Sequence, residues 1–136
     1  MSKSRTLISL DVGEKRIGVA IADTSVRIAI PLTTIQVDGT EIQQIAEIVQ
    51  KESAHTLVIG YPRNQQGEAT AQTDYVKKFA AQLETLDVPI AFEDESLTSV
   101  LAEQQLIAEK KPYEKGDIDA RAATIILQDY LERYYG

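Results

Sequence analysis

The sequence predicts an α/β fold built on a mixed sheet. Two apolar segments joined by a glycine-containing turn, residues 6–11 and 16–23, open the chain as a predicted hairpin. From residue 40 onward, helical periodicity alternates with short apolar runs that are typical of buried strands. Three strands followed by alternating helices and strands indicate one layered domain over residues 1–136, in which helices cover a sheet.

Each predicted strand depends on a local pattern. The second strand, residues 16–23, alternates branched aliphatic side chains with small ones. The third, within residues 27–37, contains Pro31, which favours an edge position because proline cannot donate a ladder hydrogen bond. The runs at residues 55–60 and 88–92 are short and apolar, so they predict buried strands.

The helices are predicted from apolar spacing and from capping residues. Thr40 and Gln43 have the spacing of a capping box and begin a helix over residues 40–53. A second helix carries its apolar stripe over residues 76–83. The remaining helices run from Thr98 or Ser99 to about residue 110, and from a cap at Asp117 through Tyr130.

Composition limits the chemistry that the chain can perform. It has 136 residues, no cysteine and one histidine, which excludes disulfides, thiolate catalysis and metal sites built on several histidines. No run reaches the roughly 18 apolar residues of a membrane span, and the N-terminus lacks the apolar core of a signal peptide. We therefore expect a cytoplasmic protein.

The overall charge opposes nucleic-acid binding. Twenty-one acidic residues against fourteen basic ones give a formal net charge of −7. Such a molecule repels a polyanion, so any nucleic-acid partner has to be met by local basic groups or by metal ions that offset clustered carboxylates.

Carboxylates are predicted to gather at one edge of the sheet. The strands at residues 6–11, 55–60 and 88–92 alternate with helices, so they are expected to be parallel, with their carboxyl ends at a common edge. Asp11 ends the first strand, and the cluster at residues 93–95 follows the last one. The alternation of residues along the strand does not say which acid of the cluster points inward. For Asp11, an acid at the start of a glycine turn is also common without any functional role.

The last helix contributes another acid. Asp119, Ala122, Ala123, Ile126 and Tyr130 share one helical stripe. Asp119 therefore lies on the core-facing side, although the helix dipole also favours acids near an N-terminus. Asp117, by contrast, lies on a polar stripe and is interpreted as a cap or as the partner of Arg121.

Acids from separate segments suit a divalent cation. In a chain without cysteine, oxygen ligands favour Mg²⁺ or Mn²⁺, and a shared cation offsets the desolvation of an inward-facing carboxylate. Two such ions about 4 Å apart are able to activate a water and stabilise a leaving oxygen. This chemistry indicates metal-dependent hydrolysis of phosphodiester bonds.

Four ordered motifs resemble those of one known family. The segments "DVGEKRIGVAIAD", "VIGYPRNQQGE", "DESLT" and "DIDARAATIILQDYLE" are similar in order and spacing to the motifs of the YqgF family. Its members are small ribonuclease H-like proteins, described as Holliday junction resolvases and as nucleases that mature the 5′ end of pre-16S ribosomal RNA. The resemblance implies a ribonuclease H-like fold, with a central five-stranded mixed sheet flanked by helices.

The resemblance also implies particular site residues. The catalytic, metal-binding carboxylates of the family fall on Asp11, Glu95 and Asp119, so that the family motif selects Glu95 from the acidic cluster. The family usually has arginine where this chain has Ser96, which removes one expected phosphate contact.

Basic and polar residues near these acids are candidate substrate contacts. Lys15 and Arg16 follow Asp11 in the first turn, and Arg63 and Asn64 lie in the loop "GYPRNQQG". All four are predicted to contact substrate phosphates. The alternative is that the first pair are ordinary exposed turn residues and the second pair belong to a plain connection.

Several functions remain open at this point. The expected activity is a Mg²⁺- or Mn²⁺-dependent endonuclease acting on precursor ribosomal RNA, with a four-way DNA junction as the alternative substrate. Symmetric cleavage of a junction would require a homodimer. A non-catalytic module that binds nucleic acid or protein is a further alternative. The first motif also resembles the phosphate loop of actin-like ATPases, but those need two such domains.

Overall fold

The computed structural model describes residues 4–62, 66, 68–95 and 98–136, with the backbone alone at residues 95, 98 and 99. The strands are β1 (Thr6–Val12), β2 (Arg16–Asp23), β3 (Ile30–Gln36), β4 (Thr56–Pro62) and β5 (Ile90–Glu95). The helices are α1 (Glu41–Lys51), α2 (Ala71–Leu83), α3 (Thr98–Ala108) and α4 (Lys115–Tyr134), with a 3-10 turn at Glu84–Leu86.

The strands form a five-stranded mixed sheet in the order β3-β2-β1-β4-β5. β1 and β2 are the predicted hairpin, with Asp11 paired to Gly18. β1, β4 and β5 are mutually parallel neighbours, which confirms that their carboxyl ends meet at one edge of the sheet. The α/β class and the five-stranded sheet predicted from the sequence are therefore confirmed.

β3 occupies one edge of the sheet, as Pro31 predicted. Its pairing with β2 shifts register between Val19 and Ala20, and Pro31 lies opposite Ala20 at this irregularity. The strand carries the exposed apolar side chains Ile30 and Leu32. Proline and a bulge are both typical of an edge strand because neither fits a regular ladder on two sides.

The sheet separates two apolar cores. Alternate residues of β1 point to opposite faces. Ile8, Leu10 and Val12 pack in the cluster that includes α1 and α2. Leu7 packs instead in the second cluster, which is built mainly from α4. The sheet is therefore covered on both faces, and α4 alone supplies most of the helical cover on the Leu7 face.

α4 approaches β2 so closely that only glycine fits between them. A Cβ atom added at Gly18 would lie 1.9 Å from the carbonyl oxygen of Asp119. Near the start of the same helix, a Cβ at Gly116 would meet Thr34 at an ordinary 3.5 Å. The first glycine is a packing requirement, whereas the second is not.

Three local predictions were wrong. The strand predicted to end at residue 92 continues to Glu95, because β4 extends to Pro62 and pairs with it. Asp117 is not the N-cap of α4. The N-cap is Glu114, whose backbone N–H donates a hydrogen bond of 2.9 Å to the carboxylate of Asp117 inside the helix. Thr40 precedes α1 without a side-chain cap: its hydroxyl donates to Asp38 and accepts from the side chain of Gln44, not from the helix backbone.

Among the described residues, no helix combines the length and the apolar character needed to cross a bilayer.

The glycine contact predicts a contrast between two alanine substitutions. We expect Gly18→Ala to lower the free energy of unfolding by at least about 2 kcal/mol, because the methyl group collides with helix backbone that cannot move aside without lifting α4. Gly116→Ala adds the same methyl group where space exists, and should leave stability unchanged or raise it by up to about 1 kcal/mol. Urea denaturation of both variants measures the difference, and equal effects would contradict the proposed packing requirement.

Candidate functional site

Asp11 lies near the end of β1 on the sheet face that α4 covers. Leu7 on the same alternation packs in the α4 cluster. Between the two, the buried hydroxyl of Ser9 donates a hydrogen bond of 2.7 Å to the carbonyl oxygen of Ala123 in α4. Asp11 itself is half buried. The carboxylate therefore occupies the rim of a covered face.

Asp119 is brought to the same place by α4. Gly18 pairs with Asp11 across the hairpin, and the backbone of Asp119 lies directly over Gly18. Asp11 lies two residues beyond Ser9 on β1, and Asp119 lies four residues before Ala123 on α4. Both steps are about 6–7 Å long, so the two aspartates lie at similar distances from the Ser9–Ala123 hydrogen bond. The structure thus brings together two of the three predicted carboxylates, which lie more than a hundred residues apart in the chain.

Arg16 is held by one of these acids. Its Nε donates to Oδ2 of Asp119 at 2.6 Å, and the two side chains are 29% and 20% exposed. Charge-assisted contacts of this length are among the stronger hydrogen bonds. Arg16 was predicted as a phosphate contact. In this structure the guanidinium pairs with a predicted catalytic carboxylate through Nε, and the phosphate contact stays a prediction.

Two other basic residues lie close in sequence to the two acids. Lys15 is exposed in the turn before β2, where its carbonyl oxygen accepts a hydrogen bond from Val37. A cavity of about 650 Å³ lies beside Arg16, between β3 and the start of α4, and Lys115 lines it. Sequence reasoning missed Lys115. The signal was present, because Lys115 lies one helical turn before Asp119.

The acidic cluster of residues 93–95 is part of β5. Glu93 is 3% exposed, and its Oε2 accepts a hydrogen bond from Arg133 of α4 at 2.9 Å. Burial raises the pKa of Glu93 above its ordinary value, and the Arg133 guanidinium opposes that shift. Glu93 is therefore a compensated core carboxylate, whereas Asp94 is exposed.

Glu95 ends β5 opposite Pro62, at the same sheet edge as Asp11. Its side chain lies outside the described part of the structure. Arg63, Asn64 and Ser96 also lie outside the described residues. The family's choice of Glu95, and the two loop contacts, therefore remain predictions.

The donor set suits a hard divalent cation. Among the described side chains, no group of three histidines, cysteines or carboxylates lies close enough to hold an ion, and this set does not include the side chain of Glu95. Asp11 and Asp119 nevertheless place oxygen donors on one face. The guanidinium of Arg16 at 2.6 Å shows that a cationic group fits against Asp119. Carboxylate oxygens of this kind are the ligands that Mg²⁺ and Mn²⁺ prefer.

The Arg16 contact predicts an energetic coupling across the fold. We expect Arg16→Gln to reduce the free energy of unfolding by about 1 kcal/mol, the usual contribution of a partly exposed charged hydrogen bond. Asp119→Asn should cost less in the Arg16→Gln background than in the parent. A double-mutant cycle by urea denaturation measures this coupling.

Lys15→Gln serves as the control, since this neighbouring cation is exposed in the turn. We expect it to change stability by less than about 0.5 kcal/mol. Strictly additive effects of the Arg16 and Asp119 substitutions would show that the contact does not contribute in solution.

The sequence similarity to known proteins extends over nearly the whole chain. A protein from Chloroflexus aurantiacus is 47% identical over 131 residues, which cover 93% of this chain and 86% of that protein. One from Synechocystis is 44% identical over 137 residues, covering 97% of this chain and 90% of that protein. Both carry the name "Putative pre-16S rRNA nuclease".

Solved structures show the same fold at low sequence identity. Thermus thermophilus RuvC in complex with a Holliday junction is 13% identical, with a TM-score of 0.58 and 96% of both chains covered. The fowlpox virus resolvase in complex with Holliday junction DNA is 16% identical, with a TM-score of 0.55, covering 96% of this chain and 99% of that chain. These matches confirm the predicted ribonuclease H-like fold.

A family model settles the relationship. The model for RuvX, described as a Holliday junction resolvase, matches residues 5–133. This span contains the three predicted carboxylates, the five strands, α1 to α3, and α4 except for its last residue. With relatives above 40% identity over most of its length, the chain belongs to the RuvX (YqgF) family.

Proposed function

We propose that this protein is a metal-dependent endonuclease that hydrolyses phosphodiester bonds during 5′-end maturation of pre-16S ribosomal RNA in the cytoplasm. The observation that carries the proposal is the meeting of Asp11 and Asp119 on one face of the sheet, at the edge where β5 ends in Glu95. The names of the relatives support the RNA substrate.

Asp11, Glu95 and Asp119 would hold Mg²⁺ or Mn²⁺, in the form of two ions. When bound, such ions neutralise charge on the phosphate and lower the pKa of an attacking water. The Arg16 contact engages Oδ2 of Asp119, so Oδ1 is the oxygen that a cation would reach without displacing the guanidinium. Arg16 thereby fixes the orientation of a ligand carboxylate.

The basic residues bind and orient the substrate backbone. Lys15 is exposed in the turn between β1 and β2, and Lys115 is exposed at the start of α4, so both are suited to phosphate contacts. Arg63 and Asn64 in the loop after β4 are proposed to add contacts from the other side. These cations make the surface locally less negative in a chain whose net charge of −7 repels a polyanion as a whole.

Removing either aspartate charge should abolish cleavage. We expect Asp11→Asn and Asp119→Asn to lower the cleavage rate of end-labelled precursor ribosomal RNA by at least about a hundredfold, because an amide binds a divalent cation poorly and adds no negative charge. Circular dichroism should show a retained fold, since the amide has the same shape as the acid.

Asp117→Asn is the matched control. It is an exposed aspartate on the same helix, whose contact is to the backbone of Glu114. We expect its cleavage rate to remain within about twofold of the parent, because Asp117 is not a predicted metal ligand and the asparagine amide oxygen keeps the hydrogen bond from Glu114. Full activity of the Asp11 or Asp119 variant would refute the assignment.

Metal binding should be detectable without any substrate. We expect Mn²⁺ to raise the melting temperature of the parent protein, because a ligand that binds only the folded state stabilises it by mass action. The rise should disappear in Asp11→Asn and persist in Asp117→Asn. A chelator should abolish cleavage, and added Mg²⁺ or Mn²⁺ should restore it. Equal melting shifts in all three proteins would place the ion elsewhere.

A four-way DNA junction is the second candidate substrate, favoured by the description of the matching family model. Symmetric cleavage of a junction needs two active sites, so this alternative requires a homodimer. The same assay with a labelled junction decides between the substrates. Binding of either nucleic acid without any cleavage would instead favour a non-catalytic module.

A further inference from the structure

A second cavity lies beside β5, the strand at the opposite side of the sheet from β3. It has a volume of about 480 Å³, and its lining includes Tyr61, Lys77, Phe92, Arg133 and Tyr134. This volume is within the range of cavities that hold small ligands or ligand fragments. None of these residues is one of the three predicted metal-binding carboxylates, so the cavity is a separate candidate binding site.

The aromatic residues of the cavity are held in place but remain exposed. Tyr61 and Phe92 meet edge to face, with ring centroids 5.3 Å apart, and Phe92 is still 44% exposed. Tyr134 is 61% exposed, and its ring lies 4.7 Å from that of Tyr130. Each exposed ring is therefore supported by a neighbouring ring, which lowers the entropy lost when a flat ligand binds to it.

Cations accompany these rings. The ammonium group of Lys77 lies 5.7 Å from the ring centroid of Tyr61. Arg133 borders the cavity and also binds the buried Glu93. With Asp94, the cavity has two acids and two cations in its lining. In a chain of net charge −7, this locally balanced surface is one that a polyanion is able to approach.

The cavity is close to the proposed cleavage site. Tyr61 of β4 pairs with Asp94 of β5, and the next pair along the two strands is Pro62 with Glu95. One residue along a strand is about 3.3 Å. Asp119 and Tyr134 lie fifteen residues apart on α4, which is about 22 Å along the helix. A nucleic-acid strand that passes from the carboxylates along Glu95 would therefore reach the cavity within a few nucleotides.

We propose that this cavity binds an unpaired base of an RNA strand that flanks the cleaved bond. The inference rests on the proposed nuclease function and adds the class of substrate: RNA that is single-stranded next to the cleavage position. Stacked bases of a duplex do not expose their faces, whereas an unpaired base stacks on exposed aromatic rings. Such stacking tolerates any base, and the adjacent Lys77 and Arg133 suit the accompanying phosphates.

The test measures binding and not cleavage. Full-length protein is titrated in chelator with an RNA hairpin that carries a single-stranded extension containing 2-aminopurine, and with the same hairpin without the extension. We expect Tyr134→Ala to weaken binding of the extended hairpin by about tenfold, the lower part of the effect of losing one stacked base. Lys77→Ala should weaken it by about threefold or more and reduce its salt dependence. Neither variant should change binding of the blunt hairpin.

Two control variants match these substitutions. Lys78→Ala removes the neighbouring exposed cation of α2, and Tyr113→Ala removes a tyrosine that contacts Glu103 instead of lining the cavity. Both should bind the extended hairpin like the parent. Because Tyr134 and Lys77 are exposed and lie on different helices, a shared binding defect is not explained by unfolding.

The outcomes separate this inference from the nuclease assignment. Quenching of 2-aminopurine by the parent and its loss in Tyr134→Ala support the cavity as a base site. Parent-like binding by both cavity variants, or equal affinity for an extension of abasic residues, overturns it even if metal-dependent cleavage is observed. If cleavage fails while the base site is found, the nuclease assignment falls and the binding site stands.

Discussion

The close packing of α4 on β1 and β2 is the contact on which the candidate site depends. Two small residues on adjacent strands, Ser9 and Gly18, leave room for helix backbone where larger side chains would hold it away. The helix side contributes small residues as well, with Ala122 and Ala123 fully buried. A carboxylate on a helix and one on a strand can share a cation only at such short separations. The chemistry at the sheet edge is therefore prepared by residues that never touch a substrate.

Among the described residues, two ion pairs tie this helix to the sheet, and the helix supplies the acid in one pair and the base in the other. Near its start, Asp119 accepts a hydrogen bond from Arg16 of β2, and in its last turn Arg133 donates to Glu93 of β5. A cation in the last turn also complements the helix dipole. The two pairs differ in their consequences. Glu93 is almost fully buried, so its partner compensates a desolvated charge, whereas Asp119 stays accessible to a cation from solvent.

The sequence predicted those features that depend on short-range patterns. Pro31 identified the edge strand, and helical phase separated Asp119 from Asp117, because side-chain periodicity is a local property. The end of β5 and the pairing of Arg16 with Asp119 were not predicted, because both depend on partners distant in the chain. Glu93 reads as a solvated loop acid until Arg133, forty residues later, is known to pair with it. Arg16 reads as a free cation until Asp119 is placed beside it.

The edge strand β3 illustrates how an exposed apolar surface is kept harmless. Ile30 and Leu32 present aliphatic side chains to solvent on a strand whose outer side has no neighbour in the described sheet. Such an edge is a template for pairing with another chain. Pro31 between them lacks an N–H group, and the bulge beside it breaks the regular spacing of hydrogen-bonding groups. The edge therefore exposes apolar side chains, but its irregular backbone opposes hydrogen bonding to a strand of another molecule. This protects the protein from strand-by-strand polymerisation at high concentration.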